Sequence, residues 1–468
     1  VPDHDPTHWR LPDHPSLEWL KRRAKRLRRL VDDGDPQALS LVERYDPGAG
    51  PVTLSRAQRV VARAHGYAGW SRLVADVRQR EALSRPMAPT SDADDDVEAF
   101  LRAAVLSYTE PLAEPVPEPS RTTVHTLAAL GRADELAAVL DADPSLVRAE
   151  GGPHAWVPLL YLCYSRVPQA DAVGTLRLLL DRGADPDAGF LWQGMPSPFT
   201  ALTGVLGGGE RGEPPHPQAV WLATMLLDAG ADPNDNQAFY NRAFEPDDSH
   251  LPPLLSHGAG HERPSPWRDR LGRAYPSPAQ MVGEHLRSAA AAGFAQRVSL
   301  LLAAGVSPDT RGYHPVLGDA TAYEVAVTRG QTECAALLAD AGADTSGLDE
   351  DDLTLGRALA GTAEPGHPAV DGLPDRRPDA MRLAAELHGV AALEALVALG
   401  YDISTPGRWR TTALHEAALR GNEEMCRWLL ERGASTTARD ERFDATPAGW
   451  ADHAGHAELA ELLETDVD

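Results

Sequence analysis

Cysteine is nearly absent from this 468-residue chain, which has Cys163, Cys334 and Cys426 and no others. Odd in number and unclustered, they exclude the disulfide framework of a small secreted domain. Cys334 and Cys426 each stand four residues ahead of a leucine that closes a helix, a core position for a small apolar side chain. Lysine is scarcer still: Lys21 and Lys25 are the whole supply, and every other basic side chain is arginine. That bias reads as base composition of the genome and carries no function. No apolar run approaches the roughly 18 residues a membrane span needs. The start Val1-Pro2-Asp3-His4 is no signal peptide, so a cytoplasmic location is expected. Catalytic signatures are missing as well. There is no G-x-S-x-G and no H-E-x-x-H, and the glycines of 204–210 lack both the Lys-Ser/Thr of a phosphate loop and a preceding strand. No cofactor is expected.

Positive charge is short outside the N-terminal part. The chain carries a net charge of −25, yet residues 1–90 hold 16 Arg/Lys against 11 Asp/Glu. The remainder is therefore at −30, which argues against nucleic acid and anionic membrane and favours a basic protein or peptide partner.

What the chain has is repetition. Thr412-Ala413-Leu414-His415-Glu416-Ala417-Ala418 closes on Gly421 and is followed by Trp428-Leu429-Leu430-Glu431-Arg432-Gly433-Ala434. Thr412 suits a helix cap, and the two glycines supply the left-handed conformation that ends a helix. The frame returns at Leu286–Gly293, Tyr323–Gly330 and Ala448–Gly455, and at His125–Gly131 with an offset of one. Second-helix endings recur before Gly183-Ala184-Asp185-Pro186, Gly230-Ala231-Asp232-Pro233 and Gly342-Ala343-Asp344. This resembles the ankyrin repeat, T-P-L-H-x-A, with Ala413 in place of proline, and the spacing of Gly389, Gly421 and Gly455 agrees with a period of roughly 33. The resemblance implies an all-α ankyrin-repeat solenoid of eight or nine helix pairs between about Pro119 and Glu464. The unit at Asn236–Gly260 is degenerate, and the unit at Thr446–Ala451 is a polar cap.

The expected organisation is an N-terminal helical extension (1–85), a linker with one short helix (86–118) and a larger repeat lobe with long insertions (119–347). An acidic, Pro/Gly-rich insertion (348–379) with one helix at Leu353–Ala360 then leads to a smaller C-terminal lobe and cap (380–468). In the extension Leu17, Leu20, Ala24, Leu27, Leu30 and Val31 form an apolar stripe opposite seven basic residues. That helix either packs on Arg56–Ala64 and Trp70–Arg80 with a solvated basic face, or contacts a polyanion. Leu20-x4-Lys25, Leu54-x2-Ala57-Gln58 and Gly66-Tyr67-Ala68-Gly69-Trp70 resemble the N-terminal extension of a bacterial ankyrin-repeat family without an assigned activity.

Ankyrin proteins bind partners on the tips between repeats and on the first helices, so the resemblance implies a protein-interaction module. Aromatic and arginine residues on the insertions are the candidate anchors: Trp192, Gln193, Phe199, Tyr240, Asn241, Arg242, Tyr313, Arg408, Trp409 and Arg410. For Trp192 and Tyr240, rings that fold back to plug the insertion stand as an equal reading, whereas Trp409 is expected to be exposed. The competing class is an enzyme whose pocket is built by 187–216 and 234–267, lined by Trp192 and Tyr240, with Asp247, Asp248 and His250 as its acid–base groups. His250, His257 and His261 invite a metal reading, but Gly258 and Gly260 break the helix that would align them, so no metal site is expected.

Overall fold

The computed structural model describes residues 11–12, 15–87, 95–108, 117–312, 317–362 and 369–465. Helices dominate. Among the described residues, strands are limited to Gly189–Phe190 and Phe199–Thr200, paired antiparallel. The chain forms two compact units, Val1–His285 and Leu286–Asp468. Their boundary falls at Leu286, not at the 348–379 stretch that the composition suggested.

The first unit opens with the expected amphipathic helix, Leu17–Asp32, whose Ser16 cap accepts from the Trp19 amide at 3.2 Å. Leu20, Ala24 and Leu27 are buried against the helices Pro36–Tyr45 and Leu54–Ala64, while Lys21, Arg22, Lys25, Arg26, Arg28 and Arg29 face solvent. The stripe therefore has a partner in the fold, and the basic face is a solvated one. Trp70–Leu83 follows. The next helix is Asp96–Ala104, with Phe100, Leu101 and Ala104 inward as the spacing predicted.

Helix pairs then repeat: Val124–Ala129 with Ala133–Ala142, Pro158–Tyr164 with Ala172–Asp181, Ala201–Leu206 with Ala219–Asp228, and the degenerate Asn236–Asn241 with Leu251–Ser256. One cap recurs. Thr123, Thr200, Thr321 and Thr412 each bond the amide three residues on, and the side chain at that third position bonds back. Each such box satisfies two donors that the helix start leaves open. Inner helices lie close because they carry alanine; Ala128, Ala129, Ala326, Ala417 and Ala418 have no exposed surface. Cys163, Cys334 and Cys426 are all buried, the last two at the core positions read from the spacing.

In the second unit the acidic stretch is part of the stack. Its helix spans Glu350–Leu359, three residues earlier than expected, because Asp349 caps it by accepting from the Asp352 amide at 2.9 Å. It packs on Ala322–Thr328 and on Val390–Ala398, where an inner helix would lie. Gly356 makes this possible, since a Cβ there would sit 2.5 Å from the Val327 carbonyl. A short second helix, Leu373–Arg376, precedes Ala380–Leu387. The pairs Ala413–Leu419 with Glu423–Leu430 and Pro447–His453 with Ala457–Thr465 complete the unit.

Candidate partner-binding surface

The loop entering Ala413–Leu419 is a tight turn. The Gly407 amide donates to Thr411 O at 2.8 Å, and the amides of Arg410 and Thr411 donate to Gly407 O and Arg408 O at 3.1 Å. Closing it in this space puts Trp409 and Arg410 at φ of 52° and 56°, the left-handed region that a bulky side chain avoids. The turn is pinned from both sides. Asp379 Oδ1 accepts from the Arg408 amide at 2.9 Å, and Trp409 O accepts from the Glu441 amide of the next tip at 2.7 Å.

That next tip is organised by Asp440. Its Oδ1 accepts from the amides of Arg442 and Phe443 at 2.7 and 2.9 Å, and its Oδ2 accepts from the Ala445 amide and the Trp450 indole at 3.1 and 3.0 Å. Burial pushes the Asp440 carboxyl up, but these four donors outweigh it and hold the group below its ordinary value. The two tips together present a layered surface. The guanidiniums of Arg408 and Arg442 each lie 4.6 Å from the Trp409 ring centre, and Arg442 also covers Phe443 at 5.1 Å. Trp409 is 40 % exposed and Phe443 65 %. His415 is structural. Its Nδ1 meets Thr412 Oγ1 at 2.9 Å and its Nε2 meets Ala445 O at 3.3 Å, so it ties one helix start to the neighbouring tip.

Behind the tips, Arg382 donates to Asp379, Glu386 and Glu416 at 2.7–3.1 Å. Burial alone would lower its pKa, but the three carboxylates more than reverse this and raise it. The inner face beside the tips is thus a half-buried network of three carboxylates around Arg382, with Arg420 3.7 Å from Glu386 at its edge.

The insertions of the first unit behave differently. Phe199, expected on a tip, is buried, stacked at 5.6 Å on Phe190, which stacks at 4.9 Å on Trp156. Asn241 and Arg242 are buried too. Asn241 accepts from Gln237 at 2.8 Å, and Arg242 reaches Leu206 O and the Asp247 carboxylate. The expectation of exposure is corrected for these three: the long insertions must fill their own interior, and these side chains fill it. Trp192 is half-buried and Gln193 exposed at φ 50°. Tyr240 is 38 % exposed, edge-on to exposed Phe244 at 5.2 Å, with its hydroxyl donating to Glu210 at 2.5 Å. Tyr313 lies outside the described residues.

The glycines near 207 serve the backbone: the Gly208 and Gly209 amides donate to Glu213 O and Asn241 O at 2.7 Å. The histidines disperse. His250 is buried with its Nε2 3.0 Å from Nε2 of buried His285, and His257 Nε2 meets Asp228 at 3.0 Å. His261 is exposed. Among the described residues no three His, Cys, Asp or Glu side chains are grouped to hold a metal ion. Asp247 engages Arg242 and Ser249, and Asp248 is half-buried, its carbonyl accepting from the Leu251 amide. A cavity of about 590 Å³ does open in this unit, but Trp192, Tyr240, Asp248 and His250 do not line it. Sequence reasoning missed Arg442 and Phe443. Phe443 stands 34 residues after Trp409, the same place in the next repeat, and that spacing was the available signal.

The tips and the helices they join belong to a recognisable class: the ankyrin-repeat family model, in three copies, matches residues 381–468. Over a stretch of about that length the chain is similar to parts of palmitoyltransferase Hip14 of Drosophila melanogaster (34 % identity over 80 residues) and potassium channel AKT3 of Oryza sativa subsp. japonica (42 % over 79 residues). It is also similar to part of potassium channel AKT1 of Arabidopsis thaliana, at 35 % over 80 residues. Each match covers 17 % of this chain and, in the same order, only 13 %, 9 % and 9 % of those proteins. The relatives are eukaryotic and the family model matches residues beyond the N-terminal helices, so neither lends support to the bacterial family with an N-terminal extension. Among the described residues, no helix is long and apolar enough to cross a membrane.

Proposed function

We propose that this chain is a protein-interaction module that grips a protein or peptide segment with the tips of its C-terminal repeats. The observation that carries this reading is the exposed Trp409. It is held in a strained conformation between two guanidiniums and lies beside an exposed phenylalanine. Strain kept at a surface position needs a return that folding does not supply, and aromatic and arginine anchors are the usual currency of binding hot spots. Arg408 and Arg442 restrict the ring before the partner arrives, which lowers the ordering cost of association. The acidic field of the chain and the carboxylates around Arg382 favour a basic segment alongside the apolar anchors, by steering its approach.

The test is a peptide library selected on the intact chain and counter-screened on Trp409→Ala with Phe443→Ala. Selected peptides should be enriched in Lys/Arg and should lose at least about thirtyfold in affinity on the double variant, the factor that a hot-spot loss of about 2 kcal/mol implies. Peptides that bind the double variant equally well would place the binding surface elsewhere.

A further inference from the structure

The 590 Å³ cavity of the first unit opens among the loops that follow Ala133–Ala142 and Ala172–Asp181 and the end of Trp70–Leu83. Its apolar wall includes Trp156, Phe190 and Leu160, all buried. Its rim carries Arg85, Arg148 and Arg270 against Glu150 and Asp185. Arg85 is engaged, its guanidinium 2.6 Å from Glu150. Arg148 spends one donor on Gly183 O at 2.8 Å, and Arg270 lies 4.8 Å from the Trp267 ring centre. Neither has a carboxylate within salt-bridge distance among the described residues. Two such guanidiniums at the mouth of an apolar cavity, in a chain of net charge −25, are out of keeping with their surroundings. The Trp156 indole N–H is buried and has no acceptor among the described residues, although its ring is packed face to face between His154 and Phe190.

We propose that this cavity binds a small organic monoanion. Its apolar body would lie against the wall formed by Leu160 and the edges of Trp156 and Phe190, with a carboxylate held at the mouth by Arg148 and Arg270. The volume falls within the range of small-molecule sites. Three guanidiniums set against two carboxylates leave one net positive charge, which matches a single carboxylate and disfavours a polyphosphate. The site is separate from the Trp409 tips and does not depend on the reading given to them.

The probe is 2-naphthoate, compared with neutral 2-naphthamide by calorimetric titration of the intact chain. The acid should bind saturably at one site and at least about tenfold more tightly than the amide, the factor that one charge-assisted contact supplies. Arg148→Gln with Arg270→Gln keeps hydrogen-bonding side chains but removes the charge. It should erase the preference for the acid while leaving amide binding and the thermal transition unchanged. Trp409→Ala should leave naphthoate binding unaltered. Equal affinity for acid and amide, an acid preference that survives the double substitution, or no saturable binding of the acid at millimolar concentration would each overturn the proposal.

Discussion

The two units treat the same kind of residue in opposite ways. In the second, repeats follow one another at 32 and 34 residues, tips are short, and Trp409 and Phe443 remain outside. In the first, insertions lengthen the tips, and Trp156, Phe190 and Phe199 turn inward to join Tyr161 and Tyr164 of the helix Pro158–Tyr164 in one buried cluster, while Tyr240 and Phe244 stay partly exposed. A short tip has no interior, so a large ring on it has nowhere to go. A long insertion creates a volume that must be filled, and the nearest rings fill it. Position in the repeat therefore does not by itself decide whether an aromatic anchors a partner or the fold; a ring turns inward where an insertion leaves a volume beside it to fill.

The largest effect expected from this contrast is on stability. Trp156→Ala should cost the first unit about 3–5 kcal/mol, the range for emptying a buried tryptophan site. Amide hydrogen exchange would show it as lost protection across Pro158–Tyr164 and Ala201–Leu206, with the second unit unchanged. Exposed Trp409→Ala should alter protection little beyond its own turn. If both substitutions gave comparable losses, the distinction between filling and anchoring rings would fail.

Repeat architecture was legible because it is written locally. Threonine caps, Gly-Ala-Asp endings and the Leu17–Val31 stripe each concern residues a few places apart, and all are where the spacing put them. The acidic stretch at 348–379 was read as a break because its composition is polar. What makes it part of the stack is Gly356, a single residue permitting contact with Val327 O, and no periodicity announces that. Burial of Arg242 was hidden for a similar reason: one of its acceptors, Leu206 O, is 36 residues away on another helix. Tip residues were half legible. Trp409 stood out by type, while Arg442 and Phe443 lay within a charged run and become visible only when the repeat period is applied to Trp409.

A second, smaller effect concerns charge. Asp187 and Asp235 are buried in the first unit. Asp187 accepts from the Asp232 amide at 2.7 Å, and Asp235 caps Asn236–Asn241 with a 2.9 Å bond from the Ala238 amide. Burial raises both carboxyls to about 6 despite these donors, and neighbouring aspartates add to the rise. Because the folded-state values lie above the ordinary 3.8, the stability linked to these protons is full below about pH 4 and is lost as pH rises through about 6. Asp187→Asn keeps an acceptor for the Asp232 amide and removes the charge. It should stabilise the first unit by about 3 kcal/mol at pH 7, with a gain that fades towards nothing below about pH 4. A gain independent of pH, or a loss at pH 7, would show that the charge is better compensated than its burial indicates.

The smallest effect tests whether the Trp409 tip is strained in solution. At φ 52° every side chain except glycine's meets its own backbone, so Trp409→Ala removes the ring and keeps the strain, whereas Trp409→Gly removes both. Both substitutions lose the stacking of Arg408 and Arg442, so that term cancels in the comparison. Glycine gains flexibility in the unfolded chain, which opposes the relief of strain; where a residue must sit at positive φ, relief prevails by about 1 kcal/mol. The glycine variant should therefore be the more stable of the two by about that amount, measured as protection of the Thr411 and Thr412 amides. Their affinities for a selected peptide should be equally reduced, because binding depends on the ring that both lack. Equal stability would mean that the turn relaxes once the ring is gone, and that the ring, not the Asp379 and Glu441 contacts, imposes the conformation. Full binding by either variant would separate the strained tip from recognition altogether.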